Sequence, residues 1–160
     1  QRLGPGEVGE LVVRGRHVMR GYWEAPEATT KRFRPGPLPG EQVCHTGDLF
    51  RMDEEGYFYF IARKDDVFKS LGQKIAPKEI EDVICKLNGV LEAAVIGVPD
   101  AMLDHRIKAF VVVNSVALTE SEVLAHCRAH LEDYKIPKSV EFCSELPKTD
   151  SGKIQKGKLS

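Results

Sequence analysis

The first third of the chain alternates apolar and polar residues in the manner of short β-strands separated by turns. The segments that fit are residues 10–14, 42–45, 49–52 and 57–62, with TGD at 46–48 and DEEG at 53–56 as predicted turns. Residues 34–40 contain three prolines, which exclude a helix or a central strand there. So small a meander cannot bury both of its faces, so we expect it to be the edge of a larger domain.

A run of four charged residues, RKDD at 63–66, ends this region, and alternating β and α patterns follow it. Pro77 opens a predicted helix that Asn88 and Gly89 end. A second helix begins after Thr119, which forms a capping box with Glu122. The inward-facing residues are Ile80, Val83, Ile84 and Leu87 in the first helix, and Val123, Leu124, Cys127 and Leu131 in the second.

The remaining apolar runs predict extended structure at 67–71 and strands at 91–98, 107–113 and 139–143. Together with the two helices they predict a small sheet of about three strands with helices packed on it. The fold class is therefore α+β. We expect two parts, a β-rich segment over residues 1–64 and a separate small domain over residues 65–160.

The composition narrows the possible partners. Charged residues make up 29% of the chain and the formal net charge is −1, which gives no electrostatic reason to expect nucleic acid or an anionic membrane. No apolar run approaches the roughly 20 residues that span a bilayer, and no signal peptide is visible. The chain starts without methionine, which we expect of a segment from within a longer protein.

Four widely spaced cysteines favour buried, reduced thiols in a cytoplasmic protein. The one metal-like cluster is formed by His126, Cys127 and His130 on a predicted helix. No carboxylate or second cysteine completes it at a recognisable spacing, so a solvated helix face is the simpler interpretation. No metal site is expected within this chain.

Two isolated motifs are ambiguous. KTDSGK at 148–153 resembles a phosphate-binding loop, because glycine lets backbone N–H groups approach an anion and lysine supplies charge. Pro147 and Ile154 break the Walker pattern, so a surface turn is the simpler interpretation of this segment alone. Asp48, within TGD, is suited to accept two hydrogen bonds from a ribose diol, or else merely caps a turn.

Eight motifs, taken together in their order along the chain, favour a functional role over simple turns. They are GEL at 9–11, GYW at 21–23, PExTxxxF at 26–33, TGD at 46–48, DxxGY at 53–57, RxDDxxKxxGxKIxPxEIE at 63–81, YKxP at 134–137 and LPKTxSGKI at 146–154. In this order and spacing the chain closely resembles the superfamily of AMP-forming acyl-CoA synthetases, peptide-synthetase adenylation domains and luciferases. Asp66, Pro77 and the PKTxSGK tail favour the acyl-CoA ligases among them.

The resemblance implies an ATP-dependent ligase that works in two half-reactions. A carboxylic acid and ATP give an acyl-adenylate, and coenzyme A then accepts the acyl group. For the first step the resemblance implies that Asp48 and Arg63 bind the ribose of ATP or AMP. It implies that Lys153 is the catalytic lysine that neutralises charge at the α-phosphate, a role that suits a fixed cation.

For the second step the resemblance implies a rotation about a hinge at Asp65, which brings the loop of residues 69–74 to the active site. Lys69 is then a second catalytic lysine. The resemblance also implies that Gly72, Lys74 and Lys138 bind coenzyme A.

The sequence also departs from the usual pattern of this superfamily. Glycine usually stands at Ala62, arginine at Lys74 and Lys156, and glutamate or glutamine at His105. Lysine keeps the charge of arginine but loses its fork geometry, which puts phosphate contacts at Lys74 and Lys156 in doubt.

Other parts of the implied enzyme are expected upstream, in the N-terminal domain. These are the Ser/Thr/Gly-rich phosphate loop, the carboxylate that binds Mg²⁺ and the pocket for a fatty or other acyl acid. We therefore expect the 160-residue chain alone to form no acyl-adenylate. Two alternatives stay open, transfer of the acyl group to the pantetheine of an acyl carrier protein, and a non-catalytic interaction module.

Overall fold

The protein is described by a computed structural model for residues 3–114 and 118–159. The chain divides into two units, Gln1–Asp65 and Asp66–Ser160. The first is an antiparallel sheet with one short helix, and the second is a sheet with two longer helices. The predicted α+β class is confirmed.

The first unit is built around one long central strand. Its elements are β1 (Val8–Arg14), α1 (Pro26–Arg32), β2 (Phe33–Pro35), β3 (Gln42–Met52) and β4 (Phe58–Arg63). β3 pairs with β1 along one side and with β2 and β4 along the other, all antiparallel. The proline-rich segment beyond β2 lies outside the centre of the sheet, as its missing N–H donors predict.

The predicted turn at TGD is wrong. Residues 42–52 form one continuous strand, and Gly47 makes a bulge within it at φ +74°. The register against β1 shifts from Glu10 opposite Leu49 to Val12 opposite His45. Because β1 pairs on both sides of the shift, the extra residues bend the strand without reversing it.

Helix α1 was not predicted from the sequence. It has proline at its start and seven residues, none of which is buried. A helix that buries no face leaves no apolar period along the chain, so its sequence does not differ from that of a polar loop.

The second unit begins with a hairpin of β5 (Phe68–Ser70) and β6 (Gln73–Ile75), where only one extended segment was predicted. The other elements are α2 (Pro77–Cys85), β7 (Val90–Asp100), β8 (Asp104–Val113), α3 (Glu120–His130) and β9 (Ser139–Cys143). β7 pairs antiparallel with β8, which pairs parallel with β9, confirming the three-stranded sheet. The capping box is also confirmed, with both of its reciprocal bonds present.

This three-stranded sheet is covered on both faces. Ile80 and Ile84 of α2 and Val123 of α3 are fully buried against one face, in the core that also contains Val95 and Val111. The opposite face carries a smaller cluster of Ala94, Phe110, Val112 and Leu146, against which Ile154 and Leu159 pack. We call residues 146–159 the C-terminal strap, because this segment covers the second face of the sheet.

The cysteines differ in their environments. Cys127 lies on the buried face of α3, where burial raises the pKa of its thiol and keeps it neutral. Cys85 is exposed, so the expectation of burial is wrong at that position. All four thiols are free.

Candidate functional site

Asp48 and Arg63 face each other across β3 and β4 and form an ion pair. Arg63 donates from Nη1 to Asp48 Oδ1 at 2.6 Å, and the two residues are direct cross-strand partners. Both side chains are partly exposed. A carboxylate has about four acceptor positions, so the pair leaves Asp48 able to accept hydroxyl groups while Arg63 keeps further donors.

The bulge that carries Asp48 is held by hydrogen bonds to α1 on one side and to β1 on the other. Arg32 of α1 donates to the carbonyl of Thr46 at 2.9 Å, and Glu10 of β1 accepts from the amide of Gly47 at 3.1 Å. Thr46 donates from its hydroxyl to the carbonyl of Leu11 at 2.8 Å. A side chain at position 47 would collide with the Arg32 guanidinium, so glycine is required there for space as well as for its positive φ.

Glu10 also pairs with Lys64, whose Nζ lies 3.1 Å from Glu10 Oε2. Burial by itself would raise the pKa of Glu10, but the hydrogen bond and charge of Lys64 and the amide of Gly47 outweigh it and lower that pKa. Arg32 and Glu10 were not predicted as site residues from the sequence. Their role depends on contacts between distant segments, which no local pattern reveals.

Asp65, the predicted hinge residue, is the last residue of the first unit. Its carboxylate accepts from Arg32 Nη2 at 3.3 Å, so one guanidinium contacts both the TGD bulge and Asp65. The Asp65 side chain is 59% exposed, so this ion pair is solvent-screened and contributes little to stability.

Lys153 lies on a tight turn of the C-terminal strap. The amide of Thr149 donates to the Lys153 carbonyl at 2.8 Å, and the Lys153 amide donates to the Thr149 hydroxyl at 3.1 Å. Gly152 adopts φ +80° within this turn, and Lys148 and Ile154 form a bridge across it. The Lys153 side chain is exposed, and within residues 3–114 and 118–159 no carboxylate oxygen lies within 4.0 Å of its Nζ.

Lys69 and Lys74 are direct partners across the β5–β6 hairpin. Both are exposed, and like charges directly opposite each other destabilise a strand pair. Leu71 and Gly72 form the hairpin turn with φ +51° and +76°. The hairpin thus presents two cations beside a turn at which an added Cβ on Gly72 would meet open space.

The hairpin is docked onto the β7–β8 sheet by specific contacts. The Leu71 amide donates to the Leu103 carbonyl at 3.0 Å, and His105 Nδ1 lies 3.2 Å from the Lys69 carbonyl. The Phe68 ring covers Gly97, where a Cβ would lie only 2.5 Å from the ring. The docking residues were missed in the sequence, because Gly97 and His105 lie far from the hairpin along the chain.

Lys138, a predicted coenzyme A-binding residue, and Lys156, where phosphate contacts were in doubt, have different environments. Lys138 is exposed after the short helical turn Asp133–Lys135, and its amide donates to the Ile107 carbonyl at 2.8 Å. Lys156 instead points to a carboxylate, with its Nζ 2.7 Å from Glu81 Oε1. The structure therefore gives the Lys156 charge an internal partner.

The histidines of α3 make backbone contacts. His126 Nε2 lies 3.0 Å from the Val83 carbonyl, and His130 Nδ1 lies 2.9 Å from the His126 carbonyl. Among the described residues, no three His, Cys, Asp or Glu side chains are arranged to hold a metal ion. In the same part of the chain no helix is both long and apolar enough to cross a bilayer.

Two pairs of predicted site residues are thus brought together, Asp48 with Arg63 and Lys69 with Lys74. Lys153 and Lys138 lie on separate segments of the second unit. Asp48 and Lys153 belong to different units.

Comparison with known proteins finds matches among AMP-binding enzymes. Residues 79–153 match the AMP-binding enzyme C-terminal domain. A long-chain-fatty-acid–CoA ligase of Salmonella typhimurium is 44% identical over 98% of this chain and 27% of its own length, and a feruloyl-CoA synthase of Amycolatopsis is 44% identical over 97% and 30%. The solved o-succinylbenzoate CoA synthetase of Bacillus subtilis, in complex with its acyl-adenylate intermediate, superposes with a TM-score of 0.88 at 31% identity, over 98% of this chain and 31% of that one.

The chain thus spans about 30% of the length of these relatives. Their likeness extends over both units, since it covers nearly all of the chain. Residues 79–153 therefore correspond to the C-terminal domain of AMP-binding enzymes, as the sequence resemblance predicts.

Proposed function

We propose that the chain is the C-terminal part of an ATP-dependent acid–thiol ligase that converts a carboxylic acid into its coenzyme A thioester. The observation that carries the proposal is Lys153, an exposed cation on a turn held by its own backbone bonds. An exposed lysine on an ordered turn is suited to an anionic substrate, because no carboxylate of the described residues, 3–114 and 118–159, neutralises its charge.

In the first half-reaction a carboxylate oxygen of the acid attacks the α-phosphorus of ATP. The bond from that phosphorus to the bridging oxygen breaks, and pyrophosphate leaves. Asp48 accepts hydrogen bonds from the ribose diol, and Arg63 orients the Asp48 carboxylate through the 2.6 Å contact between Nη1 and Oδ1. Lys153 neutralises the charge that gathers where two anions meet.

In the second half-reaction the thiol sulfur of coenzyme A attacks the acyl carbon. The bond from that carbon to the AMP oxygen breaks, AMP leaves, and the thiol proton passes to solvent. Lys69 and Lys74 stabilise negative charge at this step, and the open turn at Gly72 admits the thin pantetheine arm. Lys138 contacts a coenzyme A phosphate, and the second unit turns about Asp65 between the two steps.

The acid is proposed to be a fatty acid, since the relative from Salmonella typhimurium is named a long-chain-fatty-acid–CoA ligase. The feruloyl-CoA synthase and the o-succinylbenzoate CoA synthetase match a similar share of this chain, 97% and 98%. This segment is therefore shared by enzymes of different acids, and the acid pocket is proposed to lie in the N-terminal domain. The N-terminal domain would also hold Mg²⁺ on the ATP phosphates. The use of ATP and coenzyme A suits a cytoplasmic location.

The test is a panel of carboxylic acids given to the full-length protein with ATP. AMP release that requires both a fatty acid and coenzyme A is expected. AMP release with an acyl carrier protein but not with coenzyme A would favour the carrier-protein alternative. No acid-dependent release with either acceptor would favour an interaction module and contradict the proposal. The 160-residue chain alone is expected to show no acid-dependent exchange of pyrophosphate into ATP.

A further inference from the structure

The C-terminal strap is attached to the sheet by two different kinds of contact. Leu146, Ile154 and Leu159 pack on the apolar face of the sheet. Apolar packing is non-directional, so by itself it does not set how far the strap lies along that face. Hydrogen bonds and ion pairs have defined geometry, and they are the contacts that fix the register of the strap.

Two lysines of the strap form ion pairs with the rest of the unit, and Lys156 lies 2.7 Å from Glu81 Oε1 and, at the longer distance of 3.8 Å, from Asp66 Oδ2. Lys148 pairs with Glu92, and these side chains are 40% and 35% exposed. Lys156 pairs with Glu81, and these side chains are 22% and 11% exposed. The first pair is open to water and screened, whereas the second is largely withdrawn from solvent, so the second restrains the strap more strongly.

Glu81 connects three elements at one carboxylate. It lies on α2 and accepts from the buried amide of Val95, on β7, at 2.8 Å. The same oxygen, Oε1, lies 2.7 Å from Lys156 Nζ. A carboxylate this buried needs both its hydrogen bonds and an opposite charge, so the position of Lys156 is specified by the helix and the sheet together.

The neighbouring polar residue of the strap does not share this role. Gln155 Oε1 is buried without a hydrogen-bond partner within residues 3–114 and 118–159. Lys156 is three residues from Lys153, and the intervening Ile154 is packed in the smaller cluster. The distance along the chain is too short for the turn at Lys153 to move independently of Lys156.

We propose that Glu81 and Lys156 are a positioning pair that holds the strap in the register needed for Lys153 to act at the α-phosphate. The proposal rests on the adenylation function proposed above and adds two residues to it. Neither residue touches substrate. Loss of the pair shifts the turn of Lys153, and a shift of about 1 Å in a catalytic group is enough to cost roughly 100-fold in rate.

The test is Lys156→Met in the full-length protein, which keeps most of the length of the unbranched side chain and removes its charge. Acid-dependent pyrophosphate exchange is expected to fall by roughly 100-fold. Thioester formation from supplied acyl-adenylate is expected to stay near wild type. Lys156→Arg should restore the first half-reaction, because arginine keeps the charge beside Glu81. Lys158→Met is the matched control, since Lys158 is exposed in the same helical turn, Lys156–Lys158.

Amide hydrogen exchange of the strap gives a readout that does not depend on activity. Lys156→Met should speed exchange in residues 146–159 while the amides of β8 stay protected. If the Met variant fails to fold, Glu81→Gln replaces it, because the glutamine oxygen still accepts from Val95.

Equal loss of both half-reactions in Lys156→Met would overturn the proposal. Unchanged amide hydrogen exchange in the strap would also overturn it. So would faster amide hydrogen exchange in the strap if the rate of pyrophosphate exchange stayed at the wild-type level. A wild-type protein without acid-dependent pyrophosphate exchange would overturn the adenylation function itself. Amide hydrogen exchange of the strap in the variants would then still show whether Glu81 and Lys156 hold the strap in place.

Discussion

The contact between Gly97 and Phe68 gives a sharp test of how the β5–β6 hairpin is held. In Gly97→Ala the new Cβ would lie 2.5 Å from Phe68 Cδ2 and 2.6 Å from its Cγ. Real carbon–carbon contacts are about 3.5–4.0 Å, so the ring must move by roughly 1 Å or more. That movement disturbs the packing of Phe68 against His105, whose ring centroid lies 5.9 Å from that of Phe68.

The expected cost follows from this overlap. An added methyl group that forces a packed ring to shift costs about 1–3 kcal/mol. For a domain of this size about 1 kcal/mol corresponds to roughly 4–8 °C in Tm. We therefore expect Gly97→Ala to lower the Tm of the second unit by at least about 4 °C. The hairpin carries Lys69 and Lys74, so thioester formation should fall more than acyl-adenylate formation.

The assays are calorimetric unfolding and amide hydrogen exchange of residues 66–76. Gly157→Ala is the matched control, because an added Cβ there meets no atom within 4 Å. Its effect should stay within about 0.5 kcal/mol. In the double variant Phe68→Ala/Gly97→Ala the two costs should not add, since the first change removes the ring that the second one strikes. Additive costs, or an unchanged Tm in Gly97→Ala, would refute this reasoning.

Three further outcomes are expected. Asp48→Asn should raise the KM for ATP by about tenfold or more, because it removes a charged hydrogen-bond acceptor, and an unchanged KM would exclude Asp48 from nucleotide binding. Because the folded-state pKa of Glu10 lies below its ordinary value of 4.5, its stabilisation is complete above pH 4.5 and is lost as the pH falls through the folded pKa. Urea unfolding on either side of pH 4.5 should therefore show a smaller acid-induced loss of stability in Glu10→Gln than in wild type, and equal losses would contradict that role. Thr119→Ala should cost about 1 kcal/mol through loss of the α3 cap, whereas Ser121→Ala, within the first turn, should not destabilise the helix.

Helices and strands that are determined by neighbouring residues could be predicted from the sequence. Pro77 and the Thr119 capping box each determine a helix start through neighbouring residues, so both were predicted correctly. The buried strands were found because both faces of the sheet are covered, which makes their sequences continuously apolar. The motif resemblance added the candidate roles of Asp48 and Lys153, which no local pattern could assign.

The errors arose where distant segments decide the structure. TGD reads as a turn in sequence, but pairing with β1 on both sides of Gly47 converts it into a bulge. Lys156 pairs at 2.7 Å with Glu81, which is on a different helix and far away in sequence. The Phe68 ring is accommodated only because Gly97 lacks a side chain, and neither residue is unusual in its own segment.

The central claim is that Lys153 serves the first half-reaction and not the second. The most direct measurement is the rate of each step in full-length Lys153→Ala, with acid-dependent pyrophosphate exchange for the first and thioester formation from supplied acyl-adenylate for the second. The account predicts a loss of roughly 100-fold or more in the first rate, the size of a lost electrostatic contact at a reacting centre, with the second rate preserved. Equal impairment of both rates, or an unchanged first rate, would contradict it.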